Sequence, residues 1–171
     1  MALNIPKEKT EMNKQPQSPG ALAPLHHKAD NTLSATRIIR TFIADDSPFM
    51  LVLLARVLAR DKRITVVGSS THGPGAFYYA CLSNPDLVLM DLHLPGSDAA
   101  EITRWLKQLR KPPVVFVVTS DDSPPARRRC LAAGADAFLV KSGELAVQLR
   151  KAVQKYFSDD FPEPKISTAI S

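Results

Sequence analysis

The chain has 171 residues, 44% hydrophobic and 23% charged, a globular balance that gives one domain of ordinary size and leaves no comfortable room for a second. A formal charge of +5 would suit a polyanionic partner, but lysine and arginine are spread along the whole chain. Only Arg127-Arg128-Arg129 form a run, which reads as a solvated helix face. No apolar run approaches the roughly 18 residues of a membrane span, and Met1-Ala2-Leu3-Asn4 lacks the apolar stretch of a secretory signal, so a cytoplasmic protein is expected.

Residues 1–36 carry Pro6, Pro16, Pro19 and Pro24 among polar residues with no sustained apolar period, and read as a flexible leader. His26-His27 has no further ligand nearby and does not read as a metal site. Residues 158–171, with Pro162 and Pro164, read as a flexible tail, so the folded domain is expected over residues 37–157. Within it, short apolar runs at residues 38–44, 64–67, 87–90, 114–118 and 137–140 alternate with longer amphipathic segments. Their β-branched, continuous character suits parallel strands buried on both faces.

Helix starts are marked between the runs. Ser47-Pro48 and Ser123-Pro124 place a capping hydroxyl before a proline at the first helical position, and Asp98 precedes Glu101 at capping-box spacing. Ile102, Trp105, Leu106 and Leu109 recur at helical spacing, as do Leu145, Leu149, Val153 and Tyr156, which leaves Arg104, Lys107 and Arg150 on outer faces and Trp105 at core or rim. Gly134 stands where the fourth helix needs a positive φ before the last strand. Cys81 and Cys130 fall in apolar segments and read as buried, reduced thiols. Alternating βα units of this kind imply right-handed crossovers and an α/β/α three-layer sandwich, a doubly wound five-stranded parallel sheet with its ligand chemistry at the carboxyl ends of the strands.

The residues at those ends are Asp45-Asp46, Asp91, Thr119-Ser120 and Lys141. Converging carboxylates repel one another unless a cation neutralises them, and Mg²⁺, a hard ion satisfied by a few carboxylates, backbone oxygen and water, meets that need. An aspartate can form an acyl phosphate when a metal and a lysine screen the incoming phosphoryl oxygens. Asp91 is the best placed acceptor, with the Leu94-Pro95-Gly96 turn behind it. Thr119 would donate its hydroxyl to a phosphoryl oxygen, and Lys141 would supply a compensating charge.

Phe42-Ile43-Ala44-Asp45-Asp46, Leu89-Met90-Asp91-Leu92-His93-Leu94-Pro95-Gly96, Val117-Val118-Thr119-Ser120 and Gly134-Ala135-Asp136-Ala137-Phe138-Leu139-Val140-Lys141 resemble, in order and spacing, the blocks of the response regulator receiver domain of two-component signalling. The resemblance implies the flavodoxin-like strand order 2-1-3-4-5. It also implies that Asp46 and Asp91 bind Mg²⁺, that Asp45 helps through the metal's water shell, and that the backbone carbonyl of His93 completes the site. The side chains of His93 and Asp121 match positions that tune loss of the phosphoryl group, and Phe138 matches the aromatic switch that turns inward when Thr119 moves. The phosphoryl source would be a histidine kinase or phosphotransfer protein. The face of the fourth helix, fifth strand and fifth helix, with Arg127, Arg128 and Arg129, would be the output surface for a downstream protein. Ser142 stands where a proline often follows the lysine, and Ala99 where glycine is usual.

On this reading the chain stands alone, with no enzymatic activity beyond its own phosphorylation and dephosphorylation and no DNA-binding domain after the last helix. A phosphorylation-independent scaffold of the same fold is the alternative. A flavin-binding electron carrier fits poorly, because a negative rim does not suit a phosphate-bearing cofactor and no phosphate loop follows the first strand.

Overall fold

The computed structural model describes residues 37–158. The expected leader, His26-His27 and nearly all of the expected tail lie outside the described residues. Five strands and five helices alternate: β1 (Ile39–Ala44), α1 (Pro48–Leu58), β2 (Ile64–Ser70), α2 (Gly73–Ser83), β3 (Leu87–Met90), α3 (Ala99–Lys107), β4 (Val114–Thr119), α4 (Pro124–Ala132), β5 (Ala137–Val140) and α5 (Leu145–Phe157). Every pairing is parallel and the order is β2-β1-β3-β4-β5.

Alternation along each central strand divides the core in two. Phe42, Val88, Met90, Val115, Val117 and Phe138 face α2, α3 and α4. Ile39, Ile43, Leu87, Leu89, Phe116 and Leu139 face α1 and α5. The three-layer sandwich is thus written in the period of two.

The marked helix starts hold. Ser47 accepts from the Met50 N–H at 3.4 Å, Ser123 from Ala126 at 3.4 Å and Asp98 from Ala100 at 2.9 Å. Gly134 takes φ +103°, and Gly96, after Pro95, takes φ +81°. Leu145, Leu149 and Val153 are buried, while Tyr156 donates its hydroxyl to the Asp136 carbonyl at 2.6 Å.

Three expectations need correction, for β2, Cys81 and Lys107. β2 runs on to Ser70 and is half exposed, because it is the sheet edge and its ladder to β1 continues through Gly68-Ser69-Ser70 despite their weak strand propensity. Its register shifts between Thr41 and Phe42, where the Phe42 ring lies against Gly68. Cys81 is exposed on the outer side of α2, and only Cys130 is a buried thiol. Lys107 does not stand free on an outer face: its ammonium meets Asp136 at 2.5 Å and the Pro113 carbonyl at 2.7 Å, half-buried. Trp105 is a rim residue, edge-on to Phe77 with ring centroids 5.4 Å apart.

Candidate functional site

The carboxyl end of the sheet is fastened by main-chain bonds before any side chain is considered. The Asp45 N–H donates to the Ser70 carbonyl at 3.1 Å, the Asp91 N–H to Ala44 at 2.8 Å and the Lys141 N–H to Thr119 at 2.7 Å. Each rim residue is therefore held by the neighbouring strand, and the four strand ends arrive together as alternation and order demand.

Asp45, Asp46 and Asp91 can bring one carboxylate oxygen each within 4.8 Å of one another. Asp45 is fully buried and Asp91 nearly so, while Asp46 faces solvent. Lys141 reaches into the group, its Nζ 2.8 Å from Asp45 Oδ2 and 3.3 Å from Asp91 Oδ1. One ammonium against three carboxylates leaves the group net negative. Asp45 Oδ1 accepts the Ser47 N–H at 3.0 Å, whereas its buried Oδ2 has the lysine charge beside it but no aligned hydrogen bond. The group fits a small hard divalent cation: oxygen donors only, excess negative charge, and a buried carboxylate oxygen with coordination capacity to spare. Burial pushes the Asp91 carboxyl above its ordinary range, with the Asp45 charge adding to the rise and the Lys141 ammonium opposing it.

Thr119 ends β4 fully buried, and its Oγ1 accepts the Asp121 N–H at 3.1 Å. Asp121 Oδ1 accepts the Ser123 N–H at 2.8 Å. That bond, with the Ser123 hydroxyl and the nearby His93, holds the Asp121 carboxyl below its ordinary range. His93 itself is exposed, two residues beyond Asp91. Ser142, where a proline would lack a donor, gives its N–H to the Val140 carbonyl at 2.8 Å. Ala99 is the fully buried first residue of α3.

Phe138 is 7% exposed and points into the core beside α4. The guanidinium of Arg127 lies over its ring, 4.7 Å from the centroid, and donates to the Phe138 carbonyl at 3.4 Å. The other arm of Arg127 meets Asp122 at 2.6 Å, and Arg129 meets Asp98 at 3.0 Å. The arginine run is therefore not a uniformly solvated face, since Arg127 and Arg129 are engaged and Arg128 points outward. Sequence reading missed Asp122 and Asp98 as partners, because pairs five and 31 residues apart follow no helical rule. A groove of about 620 Å³ between α1 and α5, floored by Leu58, Ile64, Leu149 and Val153, shares no residue with this rim.

A sequence model described as response regulator receiver domain matches residues 41–154. An uncharacterised transcriptional regulatory protein, YvfU of Bacillus subtilis, is 30% identical over 68% of this chain and 60% of its own. A protein-glutamate methylesterase/protein-glutamine glutaminase of Symbiobacterium thermophilum is 32% identical over 78% of this chain and 38% of its own. The chain thus spans less than two thirds of each of these relatives. The response regulator domain of Thermotoga maritima CheB superposes with a TM-score of 0.65 at 25% identity, covering 75% of this chain and all of that one. With the strand order, the acidic group and the lysine already in place, these likenesses establish that the chain belongs to the response regulator receiver domain family of two-component systems.

Proposed function

We propose that this chain works as a phosphorylation switch in which Asp91 accepts a phosphoryl group from a histidine kinase or histidine phosphotransfer protein and a protein-binding surface responds. The observation that carries the reading is the placement of Lys141 between the buried Asp45 and Asp91 in a group of three carboxylates. As a purely structural device it would be poor, because the ammonium cannot neutralise all three charges.

In the proposed site, Asp46, Asp91 and the backbone carbonyl of His93 would hold Mg²⁺, with Asp45 assisting through the ion's water shell. The ion supplies charge neutralisation for the incoming phosphoryl oxygens. A carboxylate oxygen of Asp91 bonds to phosphorus as the phosphorus–nitrogen bond of the donor breaks, the bonding pair leaving with the imidazole, which then takes up a proton. Lys141 follows one phosphoryl oxygen as a point charge, and Thr119 donates a hydrogen bond from its hydroxyl to another. His93 and Asp121, at the positions that tune loss of the phosphoryl group in the family, set how fast water hydrolyses the acyl phosphate to inorganic phosphate and so set its lifetime. The switch is read at α4, β5 and α5, around Phe138 and Arg127–Arg129, by a protein partner rather than DNA. Catalysis is confined to the chain's own phosphorylation and dephosphorylation, in the cytoplasm.

Intact-mass measurement after treatment with acetyl phosphate and Mg²⁺ tests this. Wild type gains the mass of one phosphate, and Asp91→Asn and samples without Mg²⁺ gain none. A wild type that stays unmodified leaves the phosphorylation-independent scaffold in its place.

A further inference from the structure

We infer that Arg127 and Arg129 are internal tethers joining α4 to the two loops that leave the reactive strand ends, and that Arg127 positions Phe138 according to the state of the Thr119 loop. This rests on the phosphorylation reading above and names the coupling within it.

Asp98 is the N-cap of α3 and ends the loop that follows Asp91, while Asp122 lies in the loop that follows Thr119. Arg129 holds the first and Arg127 the second, and both come from α4. Arg127 is the more constrained. Its planar group pairs with Asp122 on one arm, donates to the Phe138 carbonyl with the other, and covers the Phe138 ring. A planar five-donor fork can meet a carboxylate, a carbonyl and an aromatic face together, which an ammonium cannot.

The chain of contacts runs back to the reactive site within a few residues. The Thr119 hydroxyl accepts the Asp121 N–H, and Asp121 precedes Asp122. When Thr119 turns toward a phosphoryl oxygen, that N–H loses its acceptor, the 120–123 loop shifts, and the Asp122 carboxylate draws the guanidinium with it. Phe138 is then covered differently. Both ion pairs are partly exposed, so each is weak and screened by salt, which suits a contact that must remake itself during switching. Arg128, exposed and without a carboxylate partner among the described residues, remains the arginine of the run available to another molecule.

The test uses the full chain with acetyl phosphate and Mg²⁺, reading phosphate occupancy by intact mass and Phe138 by NMR of isotope-labelled phenylalanine rings in the same sample. At equal occupancy, the phosphorylation-dependent change at Phe138 shrinks roughly threefold or more in Arg127→Ala and in Asp122→Asn, with no further loss in the double variant. Arg127→Lys keeps the charge without the planar fork and behaves like Arg127→Ala, whereas Arg128→Ala matches wild type. Asp122 is exposed, so Asp122→Asn keeps the fold available should Arg127→Ala lose it. A full Phe138 response in phosphorylated Asp122→Asn overturns the tether and leaves the phosphorylation reading intact. A wild type that gains no phosphate mass overturns both.

Discussion

Lys141 stands closer to Asp45 than to Asp91, with its Nζ 2.8 Å from the first and 3.3 Å from the second. The lysine therefore serves first as counter-charge to the fully buried carboxylate and only second as neighbour to the proposed acceptor. Lys141→Met is expected to lower stability by about 3 kcal/mol, the usual cost of stranding a buried charge. Asp91→Asn removes one of the competing carboxylates and is expected to raise the urea midpoint. Shifts of the same sign in the two variants would argue against this ordering of partners.

Mg²⁺ should stabilise the fold by binding it and not the unfolded chain, which amounts to about 2.7 kcal/mol at a hundredfold excess over Kd. The thermal midpoint of wild type rises with Mg²⁺ and returns on chelation. Asp46→Asn and Asp91→Asn lose most of that gain, and equal gains in all three proteins would place the ion elsewhere.

Asp86 and Asp91 should give pH dependences of opposite sign. Burial raises the Asp86 carboxyl, but the Arg40 N–H at 3.0 Å, Lys111 and Arg37 more than offset it, so its value lies below the ordinary range. Its stabilisation is present above the unfolded value of about 3.9 and disappears as pH falls through the folded value. Asp91, raised chiefly by burial, makes the folded state bind its proton more tightly, so its ionisation costs stability as pH rises from the unfolded value through the folded one. In urea titrations, Asp86→Asn is less stable than wild type at neutral pH and converges with it in acid. The advantage of Asp91→Asn also disappears in acid.

Gly68→Ala should cost about 1–3 kcal/mol through overpacking. A Cβ there would lie 2.9 Å from the Phe42 ring, at the register shift of the edge strand. Phe42→Leu in the same chain is expected to relieve part of the loss, and simple additivity in chemical denaturation would exclude the ring as the cause.

Much of this arrangement was legible in residue order. The apolar runs of the three interior strands, the serine-proline caps and Gly134 report local rules, and local rules survive in the fold. The rim residues were legible because strand ends in a doubly wound sheet must share an edge. What escaped was set by position in the sheet or by distant pairing. Nothing in Gly68-Ser69-Ser70 announces a strand until β1 lies beside it, and the exposure of Cys81 depends on which side of α2 meets the sheet. α2 starts without a side-chain cap from His72, although Pro74 in its first turn and its end at Asn84, with φ 44°, followed by Pro85, are signals that could have been read. The bonds from Arg127 and Arg129 to loop aspartates depend on how α4 sits over its neighbours, which spacing along one helix does not encode.

The hydrogen bonds of Asp45, Asp91 and Lys141 to adjacent strands use backbone atoms alone, so the outline of the rim does not depend on which side chains it bears. Exchanging Asp91 for a residue of similar bulk would alter reactivity while leaving the pocket's walls where they are. Loss or recovery of the proposed modification would then be a matter of single codons, with the unmodified surface preserved throughout.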